Sequence, residues 1–223
     1  MQVKKDGFTF QCEHDFAIIT ECTETSPVMI IPSNVNGKVV IGIAEDVFHH
    51  RDSILKVYLP DTIRRIGKRA FNNCSMLEEI KMYKSKEEPN TIIKQMLINS
   101  FAFADCRKLQ KVNLDKKELI IDQLSFVRCY KLTDFDVLIK EIKHLGFDNC
   151  PEIQKLTFAQ NAIIENTALD SLKTLRKIFF NGNATVQDAA LKILLDHQIQ
   201  IHCEKTSNLI ELSYLGYDVR MWR

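Results

Sequence analysis

The sequence predicts an α/β protein built as a solenoid, in which short repeats stack along one axis and share a parallel β-sheet. Three observations predict this fold. The same pattern of apolar and small residues recurs in six segments of the 223-residue chain. Each segment ends in an apolar-polar-apolar triplet, which is the period of a strand with one buried face. The chain before and after these segments departs from the pattern, as the capping units of a solenoid do.

The clearest copy of the repeat occupies residues 66–82. Its apolar anchors are Ile66, Ala70, Phe71, Cys74, Leu77, Ile80 and Met82. The first anchors of the six copies are Ile43, Ile66, Ile98, Ile121, Ile142 and Ile164, at intervals of 23, 32, 23, 21 and 22 residues. A period of 20–29 residues with anchors of this kind is typical of leucine-rich, solenoid-type arrays.

An aromatic anchor follows the first anchor by five positions. It reads Phe48, Phe71, Phe103, Phe126 and Phe147, and Leu169 takes the place in the sixth copy. One unit cannot bury its apolar face alone, whereas stacked units bury a continuous column. We therefore expect the five rings to form one stack inside the solenoid.

These anchors resemble the repeat of the BspA-like leucine-rich repeat family, I-x-x-x-A-F-x-x-C-x-x-L-x-x-I-x-I-P. The resemblance covers about residues 28–180 and is clearest at 63–82, where Leu59 and Pro60 supply the end of the preceding strand. It weakens after Ile142, where Leu169 and Leu172 replace Phe and Cys. The resemblance implies a bacterial adhesion or protein-interaction surface, and it offers no catalytic residues to carry over.

Four of the seven cysteines share one repeat position: Cys74, Cys106, Cys129 and Cys150. A straight column of thiols does not form a tetrahedral metal site, and no pair has C-x-x-C spacing. Disulfides between rungs would require strained geometry for parallel side chains. We interpret these residues as small core fillers. An odd number of cysteines also fits a reducing compartment.

The first of three predicted segments covers residues 1–27, where two short strands at 8–11 and 16–21 flank a turn and form a capping hairpin. The second covers 28–180 and holds about six repeats of 21–23 residues. Within it, Asn36-Gly37 predicts a two-residue hairpin turn. The longer interval between the second and third repeats places an insertion near 83–92, which we interpret as a surface loop.

The third segment, residues 181–223, is predicted to hold a degenerate repeat and a helical cap. Thr185 and Asp188 have the spacing of a capping box before a helix. A last strand is expected at 198–203. Ser207 is expected to cap a final short helix that ends at Gly216 and turns Leu209, Ile210, Leu212 and Leu215 inward.

Composition limits the classes of partner and the compartment. A formal charge of +1 gives no general attraction to nucleic acid or to anionic membranes. No stretch approaches the length of a membrane span, and no apolar stretch of a signal peptide follows the basic start. The chain is therefore expected to be cytoplasmic, or exported or at the cell surface if a leader has been removed.

The outward face of the predicted strands carries the candidate site. One outward column reads Lys56, Glu79, Lys111, Asp134, Lys155 and Lys177, and the other reads Tyr58, Lys81, Asn113, Asp136, Thr157 and Phe179. The alternating charges of the first column can simply satisfy one another. Alternatively, the face binds a protein, with Tyr58 and Phe179 as anchors about 24 Å apart. The candidate partner-binding residues are Lys56, Tyr58, Lys81, Lys111, Lys155, Lys177 and Phe179.

The sequence contains none of the common catalytic or phosphate-binding motifs. His49 and His50 are adjacent, and adjacent side chains point apart on most backbones, so we predict neither a metal nor a cofactor there. We expect a non-enzymatic module that binds a protein partner through its strand-lined face. The alternatives are a self-associating structural or adhesion protein and a carbohydrate-binding surface. A monomer with at most weak self-association is expected, and the partner is not identified.

Overall fold

The computed structural model describes residues 1–86 and 94–222, with the side chains of Asp115 and Lys116 left aside. Its strands are β1 (Gln2–Lys5), β2 (Phe8–Cys12), β3 (Phe16–Cys22), β4 (Val28–Ile30), β5 (Asn34–Val35), β6 (Lys38–Ile43), β7 (Lys56–Pro60), β8 (Arg65–Ile66), β9 (Glu79–Tyr83), β10 (Gln95–Ile98), β11 (Lys111–Ile121), β12 (Asp134–Ile142), β13 (Lys155–Ile164), β14 (Lys177–Phe180), β15 (Ala184–Val186), β16 (Gln200–Glu204) and β17 (Val219–Trp222). Its helices are α1 (Asp188–Asp196) and a 3₁₀ helix (Asn208–Leu215).

The apolar-polar-apolar triplets of the repeats form one parallel ladder, called the first ladder below. Its order is β4, β7, β9, β11, β12, β13, β14, β16 and β17. Val57, Ile80 and Val112 lie in register and are buried. Between β12 and β13 the register shifts, and the two strands meet first at Ile139 and Phe158.

The first anchors of the repeats form a second parallel ladder on another side of the solenoid. It joins β3, β6, β8, β10, the ends of β11, β12 and β13, and β15. Its buried residues in register are Ile43, Ile66, Ile98, Ile121, Ile142 and Ile164. Strands β11, β12 and β13 therefore take part in both ladders.

Tight turns connect the two ladders, and they stack as regularly as the strands. The backbone N–H of Phe71 donates to the carbonyl oxygen of Ala102 in the next repeat at 2.8 Å, and Phe103 donates in the same way to Ser125. Two positions of each turn that carries a Phe anchor have positive φ, for example Leu124 (56°) and Arg128 (61°). This backbone is what turns the aromatic anchor inward.

The aromatic anchors form the predicted stack. Successive ring centroids from Phe48 to Phe147 lie 4.7, 5.2, 5.2 and 5.4 Å apart, with interplanar angles of 8°, 7°, 14° and 23°. All five rings are buried. Phe135 packs edge-on against Phe126 and Phe147, at 5.3 and 4.8 Å. The stack confirms the repeat that the sequence predicts.

The N-terminal residues form a three-stranded antiparallel unit. β2 pairs with β3 as expected, and β1, which the sequence analysis did not identify, pairs with the other side of β2. β3 then continues in parallel with β6, so the hairpin joins the second ladder directly. The expected Asn-Gly turn is present between β5 and β6, with φ of 50° at Asn36 and 79° at Gly37.

Two expectations for the C-terminal segment are wrong. Thr185 does not cap α1, because it lies in β15 and pairs with Ile163 in the second ladder. Gln187 precedes the helix instead, and its side chain accepts a bond from Asn166 N–H of the preceding repeat at 2.9 Å. Leu215 was expected to face inward but is 68% exposed, because the 3₁₀ helix leaves the core along its length: Leu209 at its start is buried and Leu212 is half-buried.

Other features of this segment agree with the sequence analysis. The Ser207 hydroxyl accepts a bond from Leu209 N–H at the start of the 3₁₀ helix, and Gly216 ends it with φ of 89°. β16 lies close to the expected last strand, whereas β15 and β17 were not predicted.

The predicted fold class, a parallel solenoid with an N-terminal hairpin and C-terminal helices, is confirmed. The segment boundaries after residues 27 and 180 stay predictions. The insertion near 83–92 stays one too, because residues 87–93 lie outside the described part of the chain.

Candidate functional site

The outward side of the first ladder, called the strand face below, carries all seven candidate residues. Side chains alternate along a strand, so the residues on either side of each buried one point outward. Lys56, Tyr58 and Phe179 are half-buried there. Lys81, Lys111, Lys155 and Lys177 are exposed. The structure places the seven on one surface, which is what a contact face requires.

The middle of the strand face is charged. Lys56 Nζ lies 3.4 Å from Glu79 Oε2, and Glu79 is flanked in register by Lys111. Lys111 is in turn beside Asp134. An exposed pair of this kind contributes about 0–1 kcal/mol. The alternating charges do not continue from Asp134 to Lys155, because β12 and β13 are first paired at Ile139 and Phe158 and not at these two residues.

The C-terminal end of the strand face carries three aromatic rings, called the aromatic stack below. The ring centroids of Phe179 and His202 are 4.4 Å apart with nearly parallel planes, and Trp222 lies 5.7 Å from Phe179. Lys155 Nζ lies 4.8 Å from the Phe179 centroid. Such a cation–π contact contributes about 0.5–1 kcal/mol at an exposed site. Two neighbours therefore cover Phe179.

The surroundings of His202 in the aromatic stack lower the pKa of its imidazole. Burial lowers the pKa of its imidazole, the positive charges of Lys177 and Arg220 lower it further, and Asp218 opposes them. Its Nε2 atom is buried and has no hydrogen-bond partner among the described residues. Protonation would place a third positive charge between two others, so this end of the face favours the uncharged ring.

The N-terminal end of the strand face is apolar as well. Ile30 of β4 is 60% exposed and lies in register beside Tyr58 of β7. Val28, two residues earlier, is also exposed. Val28, Ile30 and Tyr58 thus form an apolar patch at this end. The strand face thus has an apolar region at each end and charged residues between them.

Sequence reasoning missed Ile30, His202 and Trp222 as members of this surface. Ile30 precedes the first aligned repeat. Its strand was predicted, and the alternation of side chains along that strand could have indicated that Ile30 points outward. His202 was assigned to the last strand without a partner. Trp222 carried no signal, because β17 was not predicted.

The adjacent histidines differ from expectation. The ring centroids of His49 and His50 are 4.0 Å apart, because the left-handed backbone of His50 (φ 58°) brings the two side chains together. His50 Nδ1 lies 2.6 Å from Asn73 Nδ2, which belongs to the next repeat. No group of three potential metal-ligating side chains occurs within residues 1–86 and 94–222.

Comparison with known proteins agrees with this geometry. Residues 41–176 match the BspA type leucine rich repeat region in six copies. The chain belongs to the BspA-type leucine-rich repeat family. Comparison with curated proteins gives no match.

Two solved structures share the fold. A leucine-rich repeat protein of Treponema pallidum aligns with a TM-score of 0.62 and 17% identity, over 99% of this chain and 98% of that one. A leucine-rich cell surface protein of Faecalibacterium prausnitzii aligns with a TM-score of 0.54 and 19% identity. That alignment covers 81% of this chain and 54% of the Faecalibacterium protein, so this chain spans about half the length of that protein. Across the described ranges, no helix has the length and hydrophobicity needed to cross a membrane.

Proposed function

We propose that this repeat protein is a non-enzymatic module that binds another protein through its strand face. The observation that carries the proposal is the distribution of apolar surface on that face. Aromatic and apolar side chains lie at both ends, and charged side chains lie between them. Protein interfaces combine such anchors with a polar surround.

The length of the strand face favours a macromolecular partner. Tyr58 and Phe179 are five rungs apart, which corresponds to about 24 Å at the usual spacing of strands. One small molecule does not bridge that distance, whereas a folded protein does. Lysines outnumber acidic residues among the exposed side chains of the two columns, which favours a partner with an acidic surface.

A carbohydrate partner is less well supported. A sugar ring packs on the flat face of an aromatic side chain, but Lys155 and His202 already cover Phe179. The compartment stays the sequence-based expectation of a cytoplasmic or exported protein. Seven buried free thiols support a reducing compartment.

The proposal is tested by affinity capture with the full chain followed by mass spectrometry. The double variant Tyr58→Ala/Phe179→Ala removes both anchors. Tyr130→Ala is the matched control, because Tyr130 is an exposed aromatic residue outside the strand face. We expect partners that the control retains to bind the double variant at least tenfold more weakly, while circular dichroism shows that the double variant is still folded. If every recovered partner binds the double variant as tightly as the control, the strand face is not the binding surface.

A further inference from the structure

The second ladder also has an outward side, called the second face below. Its first anchors are buried and side chains alternate along a strand, so the residues that precede those anchors point outward. The column that they form in register is Ile18, Gly42, Arg65, Leu97, Ile120, Glu141, Ile163 and Thr185. Leu97 and Ile120 are half-buried, and Ile163 is 39% exposed. Half of the column is therefore aliphatic, whereas the solvated face of a sheet is ordinarily polar.

The two charged residues of this column lack partners within their own chain. The Arg65 guanidinium and the Glu141 carboxylate form no ion pair or hydrogen bond with residues 1–86 and 94–222. Leu97 and Ile120 lie between them, so the charges are three rungs apart, about 14 Å at the usual spacing of strands. That separation prevents a contact within one chain. A second copy of the chain can supply the missing partner of each charge.

A two-fold axis that runs parallel to the strands, between the rungs of Leu97 and Ile120, brings the charges together. It stacks the second faces of two copies and reverses the order of the rungs in the partner. Each Arg65 then lies opposite the partner's Glu141, and each Leu97 lies opposite the partner's Ile120. Aliphatic contacts at the centre with charged pairs around them are the usual anatomy of a protein interface.

The shape of the second face suits the same axis. Gly42 leaves a notch in the column, because it carries no side chain between Ile18 and Arg65. A Cβ atom at Gly42 would lie 3.8 Å from Ile18 Cγ1 and from Arg65 Cβ, so these two side chains form the walls of the notch. The axis places the partner's Ile163, the most exposed aliphatic side chain of the column, opposite Gly42. A protruding residue thus meets the position with the most room.

The neighbouring outward column is compatible with this stacking. Gln95 and Glu118 lie in register on adjacent strands of the second ladder. The same axis places each Glu118 opposite the partner's Gln95, whose side-chain amide can donate to the carboxylate. No like charges are therefore brought together on the rungs at the centre.

We propose that the second face is a homodimer interface, in which two copies stack this face about a two-fold axis parallel to the strands. The exposed aliphatic residues are then covered, and Arg65 and Glu141 form two equivalent ion pairs. The interface lies on another side of the solenoid from the strand face, so both copies keep their strand faces free. Two free strand faces would raise the avidity for a multivalent partner.

The test is a sedimentation-velocity series on the full chain from about 1 to about 200 μM, a range that spans weak homodimers. We expect the wild type to move from one to two chains per particle. Arg65→Glu sets two carboxylates against each other at each charged pair, and Glu141→Arg sets two guanidinium groups there. Each single variant should therefore dimerise at least tenfold more weakly. Lys108→Glu, the same change of net charge at an exposed residue outside the second face, is the control and should dimerise as the wild type does.

Charge exchange identifies the facing residues. In an equimolar mixture of Arg65→Glu and Glu141→Arg, every charged pair of the heterodimer joins opposite charges, so the mixture should dimerise as the wild type does. The double variant Arg65→Glu/Glu141→Arg should recover dimerisation by itself. Circular dichroism checks that each variant is folded, and recovery on mixing cannot arise from a contact within one chain.

Three outcomes would overturn the proposal. The first is a wild type that stays monomeric throughout the series. The second is a failure of the two single variants to associate on mixing while both are folded. The third is growth beyond two chains per particle, because a two-fold contact is closed. None of these outcomes bears on the strand face, whose test is the capture of a partner by the anchor variants.

Discussion

The Sγ atom of Cys129 lies 3.2 Å from the carbonyl oxygen of Phe103, which occupies the preceding repeat. The same contact joins Cys74 to Phe48, Cys106 to Phe71 and Cys150 to Phe126, at 2.9–3.2 Å. A thiol is a weak donor, so each side chain fills a small buried space while its polar hydrogen has a partner. The recurrence of Cys at this position therefore has a packing explanation that also ties neighbouring repeats together.

The buried thiols should be unreactive in the folded protein. Burial raises the pKa of Cys74 to about 12 and the pKa values of Cys106 and Cys129 well above their usual range. Because the thiolate is the nucleophile, a pKa of about 12 lowers the reactive fraction of Cys74 by about 10³ at pH 8. We expect iodoacetamide to leave the column unmodified under native conditions, measured by peptide mass spectrometry. In denaturant all seven cysteines should react. Rapid native labelling of Cys106 or Cys129 would contradict the buried column.

Removing an aromatic ring from the middle of the stack of five Phe rings should strongly lower the stability of the protein. Phe126 contacts Phe103 and Phe147 by stacking and Phe135 by its edge. Phe126→Ala removes these contacts and leaves a cavity, which should lower the free energy of unfolding by about 3–5 kcal/mol. Urea denaturation measures the change. Tyr130→Ala, at an exposed aromatic residue, should change it by less than about 0.5 kcal/mol. Equal effects of the two substitutions would place Phe126 outside the core.

Gly67 is required for close approach of two turns. A Cβ atom at this position would lie 2.4 Å from the carbonyl carbon of Ala44 and 2.6 Å from its oxygen. Backbone atoms cannot move aside as the end of a side chain can, so Gly67→Ala should cost about 1–3 kcal/mol or more. At Gly42 a Cβ would meet its nearest neighbour, the Arg65 carbonyl oxygen, at 3.3 Å. Gly42→Ala should therefore cost less than Gly67→Ala in the same thermal-melt series, and the reverse order would contradict this packing.

The repeat could be predicted because the residue type at each anchor position indicates whether that position is buried. Phe71 recurs as Phe103 and Phe126 at a fixed distance from an apolar residue and a Cys, and only stacked units bury all of them. A single copy would have said little. Six copies hold the same register, and the one irregular interval falls on residues that are polar.

The features that escaped prediction depend on contacts between distant residues. Thr185 has the spacing of a helix cap, but pairing with Ile163 places it in a strand. Trp222 joins the strand face only because β17 pairs with β16, and its sequence has no repeat anchors to indicate this. Ile30 was visible as part of a strand, yet its exposure depends on which neighbours cover it. Local pattern therefore fixes the repeat, and tertiary pairing decides the two ends where the candidate anchors lie.

His202 should make the stability of the protein depend on pH. Burial, Lys177 and Arg220 lower its pKa in the folded protein, with Asp218 as the opposing charge, whereas the unfolded chain titrates near 6.5. Between these two pKa values the unfolded state binds more protons than the folded state. The contribution of neutral His202 to the free energy of unfolding is therefore fully present above about pH 6.5, and it is lost as the pH falls from 6.5 toward the lowered pKa.

His202→Phe keeps a flat ring in the aromatic stack and removes the titration. Urea unfolding at pH 7.5 and 5.5 measures the loss of stability for both proteins, and the other histidines and the carboxylates contribute equally to each. We therefore expect the wild type to lose more stability than His202→Phe over this interval. An equal loss would show that protonation of His202 is not opposed by its surroundings, since a group with the same pKa in both states contributes no pH dependence.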